Sequence, residues 1–194
     1  MEFDKVVSDR RSIRAYTSEP VPEQMIRGLI EAARLAPSGS NLQPLRYVVA
    51  RTPEAVATVA QCTTVSFVAK APVVIVCLID MDFMSGRPPV EAGTTVQSRA
   101  FAEYDNRRRQ WSTEEKRAYL LLNAGIAIEH IVLKAVDLGL GSCWVRMFDQ
   151  SKLMETLALE NRYEVAALLP VGWPAEQPGM KPRLAADALI LRSF

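Results

Sequence analysis

The stretch of sequence that decides the fold runs from Arg117 to Leu138 and reads RAYLLLNAGIAIEHIVLKAVDL. Its polar side chains Asn123, His130, Lys134 and Asp137 are seven, four and three positions apart, a spacing that places them on one narrow stripe of a helix. Nearly all of the other side chains in the stretch are apolar. A helix with a single polar stripe is packed on most of its surface. We therefore expect a long central helix around which the rest of the chain is built.

Shorter elements flank this helix on both sides. Apolar periodicity and turn residues predict helices at 3–8, from 22 to a stop at 37, and at 53–61, and strands at 46–50 and 73–79. After the central helix they predict a strand or extended segment at 142–147, a helix at 151–157, and strands at 165–171 and 188–191. Because helices and strands alternate without a regular βαβ repeat, we expect an α+β fold with a mixed, largely antiparallel sheet flanked by helices. A length of 194 residues is typical of one domain, so residues 1–194 are predicted to form a single domain.

The segment 82–116 departs from this pattern. It contains Pro88–Pro89, Gly93 and the run Arg107–Arg108–Arg109, and it has little sustained apolar periodicity. One interpretation is a solvated surface excursion. The other is a lid over a binding site, since long irregular insertions in compact domains often bind ligands. Both interpretations remain open at this point.

The charge balance argues against several classes of partner. Lys and Arg together number 23 and Asp and Glu number 22, which gives a formal net charge of +1. Nucleic acid and anionic membrane surfaces are therefore not expected as partners. The longest apolar run, residues 71–79, is far shorter than the roughly 20 residues of a membrane-spanning helix. The first residues lack the apolar core of a signal peptide, so we expect a cytoplasmic protein.

Cysteine and histidine usage argues against metal sites and disulfides. Cys62, Cys77 and Cys143 are widely spaced and form no C-x-x-C pair, so neither a disulfide framework nor a thiolate zinc site is expected. His130 is the only histidine, which excludes every metal site that needs two. Cys143 and His130 could still form a nucleophilic pair, but a histidine among apolar helical residues is more typical of a packed or surface side chain. The chain also lacks a Rossmann fingerprint and a P-loop.

Cationic side chains cluster near both ends of the chain. Arg10, Arg11, Ser12 and Arg14 lie just after the first predicted helix, and planar guanidinium groups suit bidentate contacts to phosphate oxygens. A second cationic pair, Lys181 and Arg183, lies in a proline-rich segment. Each cluster alone is also what a solvated basic surface looks like. Together they could form a two-sided clamp for an anion.

Two loops could contact a flat heterocycle. Residues 37–44, PSGSNLQP, are dense in hydroxyl and amide groups, which offer both donors and acceptors. Residues 139–144, GLGSCW, contain two glycines that would let backbone N–H groups approach a ring. Each loop could equally be a helix stop and turn without a ligand.

These four motifs, taken in order, resemble the FMN-dependent nitroreductase family. They are RRSIR near the N-terminus, AARLAPSGSNLQP after the second helix, GLGSCWV after the long helix, and VGWPAE followed by KPR near the end. Their order and spacing match the family from Arg10 to Arg183. The resemblance implies an intertwined α+β homodimer with one FMN per subunit at the interface, and it implies that residues 170–194 contact the partner subunit.

The resemblance also implies which residues hold the cofactor. Residues 10–14 and the pair at 181 and 183 would hold the phosphate and ribityl chain, residues 37–41 would come from the partner, and residues 143–147 would pass the isoalloxazine ring with the N–H of Arg146 facing N5. The implied cofactor-binding residues are Arg10, Arg11, Ser12, Arg14, Pro37, Ser38, Gly39, Asn41, Cys143, Trp144, Val145, Arg146, Lys181 and Arg183.

The chain departs from the family pattern at several positions. Leu45 and Arg46 stand where many members have an aromatic residue or histidine, and Arg146 and Met147 stand where several have an acidic residue and glycine. Asn123 stands where a related pattern often has Asp. The resemblance therefore implies no particular electron acceptor.

The activity that the resemblance implies is NAD(P)H-dependent reduction of an electron-poor acceptor, such as a nitroaromatic or a quinone, through FMN in ping-pong order. The cofactor carries the chemistry in such an enzyme, so no catalytic side chain and no metal are expected. Two alternatives use the same scaffold: a reductive dehalogenase or flavin-fragmenting enzyme, with residues 82–116 as a closed lid, and a non-catalytic FMN-binding protein.

Overall fold

The structure consists of one sheet with a layer of helices on each face, and the long central helix lies in one of these layers. The computed structural model describes residues 1–82, 108 and 110–193. In chain order the helices are α1 (Phe3–Asp9), α2 (Glu23–Arg34), α3 (Pro53–Ala60), α4 (Thr113–Asp137) and α5 (Gln150–Thr156). The strands are β1 (Leu45–Ala50), β2 (Val73–Asp80), β3 (Gly141–Ser142) and β4 (Tyr163–Gly172). Short 3₁₀ turns lie at Gly39–Asn41, Ser66–Lys70 and Ala186–Leu189.

The sheet has the strand order β1-β2-β4-β3, and all of its ladders are antiparallel. Outside these ladders, an isolated parallel bridge joins Ser12 to Ser142. Every residue of β2 is buried, as expected for a continuous β-branched run with both faces covered. The β2–β4 register shifts after Cys77, because Cys77 faces Ala167 while Leu78 faces Val165. Ala166 is therefore the extra residue of a β-bulge.

Two apolar cores lie on opposite faces of the sheet. On one face, α2 and α4 pack on alternate residues of β2 such as Ile75 and Ile79. On the other face, α3 and α5 cover Val74 and Val76. The helix α4 is long and apolar enough by composition to span a membrane. Its apolar character is explained by the core, since seven of its apolar residues are buried with residues of α2 and the sheet.

The central helix begins four residues earlier than the sequence pattern predicts. A capping box starts it: the Ser112 hydroxyl accepts from the N–H of Glu115 at 3.2 Å, and the Glu115 carboxylate accepts from the N–H of Ser112 at 2.7 Å. Residues 113–116, predicted to be irregular, therefore form its first turn. The helix ends before Gly139, whose φ of +77° suits a glycine. Residues 83–107 and 109 of the predicted lid lie outside the described residues.

One predicted strand is wrong, and a segment predicted as a strand or extended is a strand only at its first residue. Residues 188–191 are not a strand: a 3₁₀ turn covers Ala186–Leu189, and all residues from 179 to 193 are exposed. A strand needs a neighbouring backbone, and this segment pairs with none within the described chain. Of the predicted segment 142–147, only Ser142 belongs to a strand, and Val145 forms a single bridge to Leu168. The second helix was expected to begin at Pro22, which is instead its N-cap.

Candidate functional site

Three of the four sequence motifs meet beside β3. The N-terminal motif runs as an extended segment between β3 and the residues that follow β4. The N–H of Ile13 donates to the carbonyl oxygen of Ser142 at 2.9 Å, and the N–H of Thr17 donates to that of Trp173 at 2.9 Å. A Cβ atom on Gly141 would lie 2.6 Å from Ile13, so the close approach of the two segments requires glycine there. Residues separated by more than 120 positions in the sequence thus form one surface.

The N-terminal guanidinium groups on this surface have no acidic partners. Within the described ranges, no carboxylate pairs with Arg10, Arg11 or Arg14. The Nη1 of Arg11 donates to the carbonyl oxygens of Ser8 at 2.6 Å and Arg10 at 2.8 Å, which ties it to the end of α1. Its Nε is buried and has no hydrogen-bond partner in the same described part of the chain. Unpaired cations with an unsatisfied buried donor suit an anionic ligand.

Glu176 fixes the backbone beneath these arginines, and it was missed by sequence reasoning. Its Oε1 accepts from the N–H of Arg14 at 2.5 Å and from the N–H of Ala15 at 3.2 Å. The N–H of Ala175 also donates to the carbonyl oxygen of Ala15 at 2.9 Å. The only signal for this role was the position of Glu176 in the VGWPAE motif, because a contact over 162 residues leaves no local pattern.

Cys143 lies under the arginine segment as a protonated thiol. It is buried, and burial is the largest cause that raises its pKa. Arg14 and a hydrogen bond with Ser12 oppose that shift. The alternative of a nucleophilic pair with His130 finds no support: the His130 Nδ1 lies 3.2 Å from the carbonyl oxygen of Ala32 on α2. His130 is thus a half-buried packing residue, as its position in an apolar helix predicts.

The segment after Cys143 is fastened to the edge of β4. Val145 and Leu168 exchange two backbone hydrogen bonds of 2.9 and 3.0 Å. The Nη1 of Arg146 donates to the carbonyl oxygen of the bulge residue Ala166 and, at 3.4 Å, to that of Val165. The backbone N–H of Arg146 donates to no acceptor within the residues that the structure covers. The Nη1 of Arg146 is therefore occupied, whereas its backbone amide donor is available.

The 37–44 loop is held in an uncommon backbone conformation. Asn41 and Gln43 have φ values of 52° and 50°, in the left-handed region that non-glycine residues rarely adopt. The Ser38 hydroxyl accepts from the N–H of Gln43 at 2.9 Å, which closes the loop on itself. The N–H of Gly39 donates to Oδ1 of Asn123 at 2.8 Å. Backbone strain of this kind is concentrated at ligand-binding and catalytic sites.

Within one chain, the four motifs do not form one complete site. No hydrogen bond or ion pair between described residues joins the 37–44 loop, including Pro37, to the arginine segment or to Trp144, whose Nε1 donates to Glu129 at 3.2 Å. Lys181 and Arg183 are exposed, and within the described part of the chain Arg183 donates only to the carbonyl oxygens of Lys181 and Pro182, at 3.4 and 3.3 Å. The expected two-sided clamp is therefore not closed in the isolated chain.

Comparisons with known proteins agree with the architecture. The profile of the nitroreductase family matches residues 7–173. An NADH dehydrogenase from Thermus thermophilus is 34% identical over 198 residues, which cover 94% of this chain and 91% of that protein. A nitroreductase family protein from Streptococcus pneumoniae superposes with a TM-score of 0.87 at 29% identity, covering 99% of this chain and 100% of that one.

A solved structure that contains a cofactor is also similar. It is described as a nitroreductase in complex with FMN from Desulfovibrio desulfuricans, with a TM-score of 0.75 at 26% identity, and the match covers 100% of this chain and 98% of that chain. A shorter match involves iodotyrosine deiodinase 1 from Rattus norvegicus, which is 47% identical over 53 residues, or 27% of this chain and 19% of that protein.

Proposed function

This chain belongs to the nitroreductase family, and on that premise we propose that it is a cytoplasmic NAD(P)H-dependent oxidoreductase with FMN as its cofactor. The observation that carries the proposal is the surface beside β3. Among the described residues, guanidinium groups without a carboxylate partner lie on the RRSIR segment, and a backbone N–H without an acceptor lies just after the GLGSCWV segment. When bound, FMN supplies the redox chemistry by passing electrons from NAD(P)H to an electron-poor acceptor, such as a nitroaromatic or quinone, in ping-pong order.

The residues present suit the phosphate end of FMN. Arg10, Arg11 and Arg14 have no carboxylate partner among the described residues, and Ser12 supplies a hydroxyl between them. The buried, unsatisfied Nε of Arg11 would gain an acceptor from a phosphate oxygen. Glu176 accepts two backbone N–H groups of this segment, so it orients the cluster without neutralising a guanidinium group.

The residues from 143 to 147 suit the ring of FMN. The two hydrogen bonds between Val145 and Leu168 fix the backbone immediately before Arg146. The N–H of Arg146 would then donate to N5, and the buried, neutral thiol of Cys143 would exclude water beneath the ring. No side chain is needed as a nucleophile in this arrangement.

A homodimer would complete the site. Two side chains on one face of α4 are exposed in the single chain, Leu122 by 64% and Ile126 by 36%. In the tail, Leu184 is 72% exposed and Leu191 is 95% exposed. Apolar side chains exposed in this number mark a contact surface. A cavity of about 860 Å³ opens between α2, β1, α4 and the 37–44 loop, so this loop borders open space in the single chain.

In this dimer, each subunit receives the 37–44 loop of its partner, and residues 170–194 pack on the partner. The arrangement accounts for the separation of the motifs within one chain. It also gives the exposed cations Lys181 and Arg183 a route to the phosphate. The dimer is intertwined in the sense that each active site uses residues of both copies.

Steady-state kinetics test the proposed function. In the absence of oxygen, purified protein should oxidise NADH or NADPH over many turnovers only when a quinone or nitroaromatic is added, and double-reciprocal plots at several acceptor concentrations should be parallel. The cofactor released by heat should be FMN. A protein that carries no flavin, or FAD in its place, contradicts the proposal.

A second candidate function, reductive dehalogenation, is favoured by the 53-residue match to a deiodinase. The same preparation separates the two. Halide release from a halogenated phenol at a rate exceeding that of quinone reduction would favour the dehalogenase. If no halide is released, the reductase assignment stands.

A further inference from the structure

Asn123 is a buried polar residue in the middle of α4, and both ends of its side-chain amide are used. Only 3% of the residue is exposed. Its Oδ1 accepts a hydrogen bond of 2.8 Å from the backbone N–H of Gly39. Its Nδ2 donates a hydrogen bond of 2.7 Å to the carbonyl oxygen of Tyr119 in the preceding turn. The side chain therefore joins the central helix to the backbone of the 37–44 loop.

The two partners of Asn123 require an amide at neutral pH. One partner is a donor and the other is an acceptor, and Asn is the residue of this length that offers both kinds of group. An ionised aspartate could accept from Gly39, but it would face the Tyr119 carbonyl oxygen without a proton between them. An alanine would leave the N–H of Gly39 without its acceptor, which is costly for a group shielded from water.

The 37–44 loop depends on such an anchor. Gly39 is packed so closely on Tyr119 that a Cβ atom would lie 1.5 Å from the tyrosine Oη. Asn41 and Gln43 adopt positive φ values that surrounding contacts must maintain. The hydrogen bond between Ser38 and Gln43 is internal to the loop and cannot fix it relative to the helix. The contact between Asn123 and Gly39 does fix it.

We infer that Asn123 is a positioning residue, which holds the backbone of the 37–44 loop in the conformation that contacts the FMN of the partner subunit. The inference rests on the proposed function, since it assigns the loop to the cofactor. Both polar ends of its side chain bond to groups of the protein, at Gly39 and Tyr119, so Asn123 is assigned no contact with the cofactor. It acts through the amide of Gly39.

The dissociation constant of FMN tests this role in three variants of the full-length protein. Flavin fluorescence is titrated for Asn123→Ala, for Asn123→Asp, and for the control His130→Ala. His130 lies on the same polar stripe of α4 but contacts α2 through the Ala32 carbonyl oxygen, away from the loop. We expect Asn123→Ala to weaken FMN binding about tenfold, because the hydrogen bond that anchors Gly39 is lost and the Gly39 N–H is left unpaired. The control should change binding by less than about twofold.

The Asp variant supplies a readout that a loss of folding alone would not produce. Burial raises the pKa of the new carboxyl group, and its protonated form offers a donor and an acceptor as Asn does. The Asp variant should therefore bind FMN about as tightly as wild type at about pH 5, and about tenfold or more weakly than wild type at about pH 8. In cofactor-free protein, amide exchange at Gly39 should accelerate in Asn123→Ala, while the amides of Leu120 and Ala124 stay protected.

The outcomes separate the inference from the function on which it rests. If wild-type protein binds no FMN, the proposed function fails. If wild type binds FMN and both Asn123 variants bind it equally well across this pH range, the positioning role is wrong while the function stands. Equal weakening by His130→Ala would also overturn the role, because it would show that FMN binding follows the general packing of α4.

Discussion

The guanidinium group of Arg146 donates to the carbonyl oxygen of Ala166, the residue that forms the bulge of β4. The same group reaches the Val165 carbonyl oxygen and lies 5.6 Å from the centre of the Phe148 ring. A bulge leaves one residue out of the strand ladder, and Arg146 supplies a donor at that point. The Nη1 of Arg146 is therefore committed to the sheet, whereas its backbone N–H has no acceptor among the described residues.

Replacement of Arg146 should separate its backbone from its side chain. Arg146→Ala keeps the N–H, so FMN should remain bound and the rate of hydride transfer should fall by less than about tenfold, or ~1.4 kcal/mol in barrier. Arg146→Pro removes the N–H donor and should lower FMN binding and the rate of hydride transfer far more than Arg146→Ala does. Thermal melting must first show that this variant is folded. Anaerobic reduction rates over a range of NADH and NADPH concentrations measure both effects. A KM increase of about a hundredfold in Arg146→Ala, or roughly 2.7 kcal/mol, would instead assign the guanidinium group to substrate binding.

The phosphate clamp predicts selective losses of affinity. Arg14→Ala and Arg183→Ala should each weaken FMN binding by about 10- to 150-fold, because a charge-assisted contact contributes roughly 1.5–3 kcal/mol. Arg27→Ala is the matched control, since Arg27 is an exposed arginine that pairs with Glu23 on α2. Flavin fluorescence titration gives the three constants. Equal effects at all three positions would indicate diffuse electrostatic attraction and no specific clamp.

The expected dimer predicts that one exposed side chain controls both assembly and cofactor content. Leu122→Arg places a charge on the apolar face of α4 and should shift the protein to monomers, because burying an unpaired charge is strongly unfavourable. FMN content should fall in parallel, since each site would lose the 37–44 loop of its partner. Sedimentation equilibrium and the flavin-to-protein absorbance ratio measure the two quantities. A variant that is monomeric yet retains full FMN would show that one chain holds the cofactor by itself.

Asp137 predicts a pH-dependent contribution to stability. Its pKa is lowered from 3.8 to about 2, mainly by a hydrogen bond from Lys134 and next by a hydrogen bond from the N-terminal amine. Because the folded-state pKa is the lower one, the contribution is present above about pH 4 and is lost as the pH falls towards 2. Asp137→Asn should therefore cost at most about 1 kcal/mol at pH 7 and nothing at the acid limit. Urea unfolding at several pH values checks this, and a cost that does not change with pH would contradict it.

Local sequence patterns correctly predicted the elements that have a clear periodicity of apolar residues. The continuous apolar run of β2 and the single polar stripe of α4 were read correctly, because each depends on periodicity alone. The early start of α4 was encoded too, in the pair Ser112 and Glu115, but the irregular sequence before it obscured the capping box. The strand predicted at 188–191 was wrong, because a continuous run of apolar residues does not by itself supply a neighbouring strand.

The candidate site was less accessible to sequence reasoning. The RRSIR and VGWPAE motifs could be recognised, but no spacing rule places Ile13 beside Ser142 or Glu176 beneath Arg14. The polar stripe included Asn123, yet its role needs Gly39, which is 84 positions away. Which cations remain unpaired is likewise a property of the folded chain. The assignment of individual residues to FMN stays a prediction.

Anaerobic stopped-flow reduction tests the central claim most directly. Purified protein should show the absorbance of bound FMN, and mixing with excess NADH or NADPH in the absence of oxygen should bleach that absorbance in a single concentration-dependent phase. A quinone added afterwards should restore the oxidised spectrum. If the protein binds FMN but neither nicotinamide nucleotide bleaches it, the chain is not an NAD(P)H-dependent oxidoreductase.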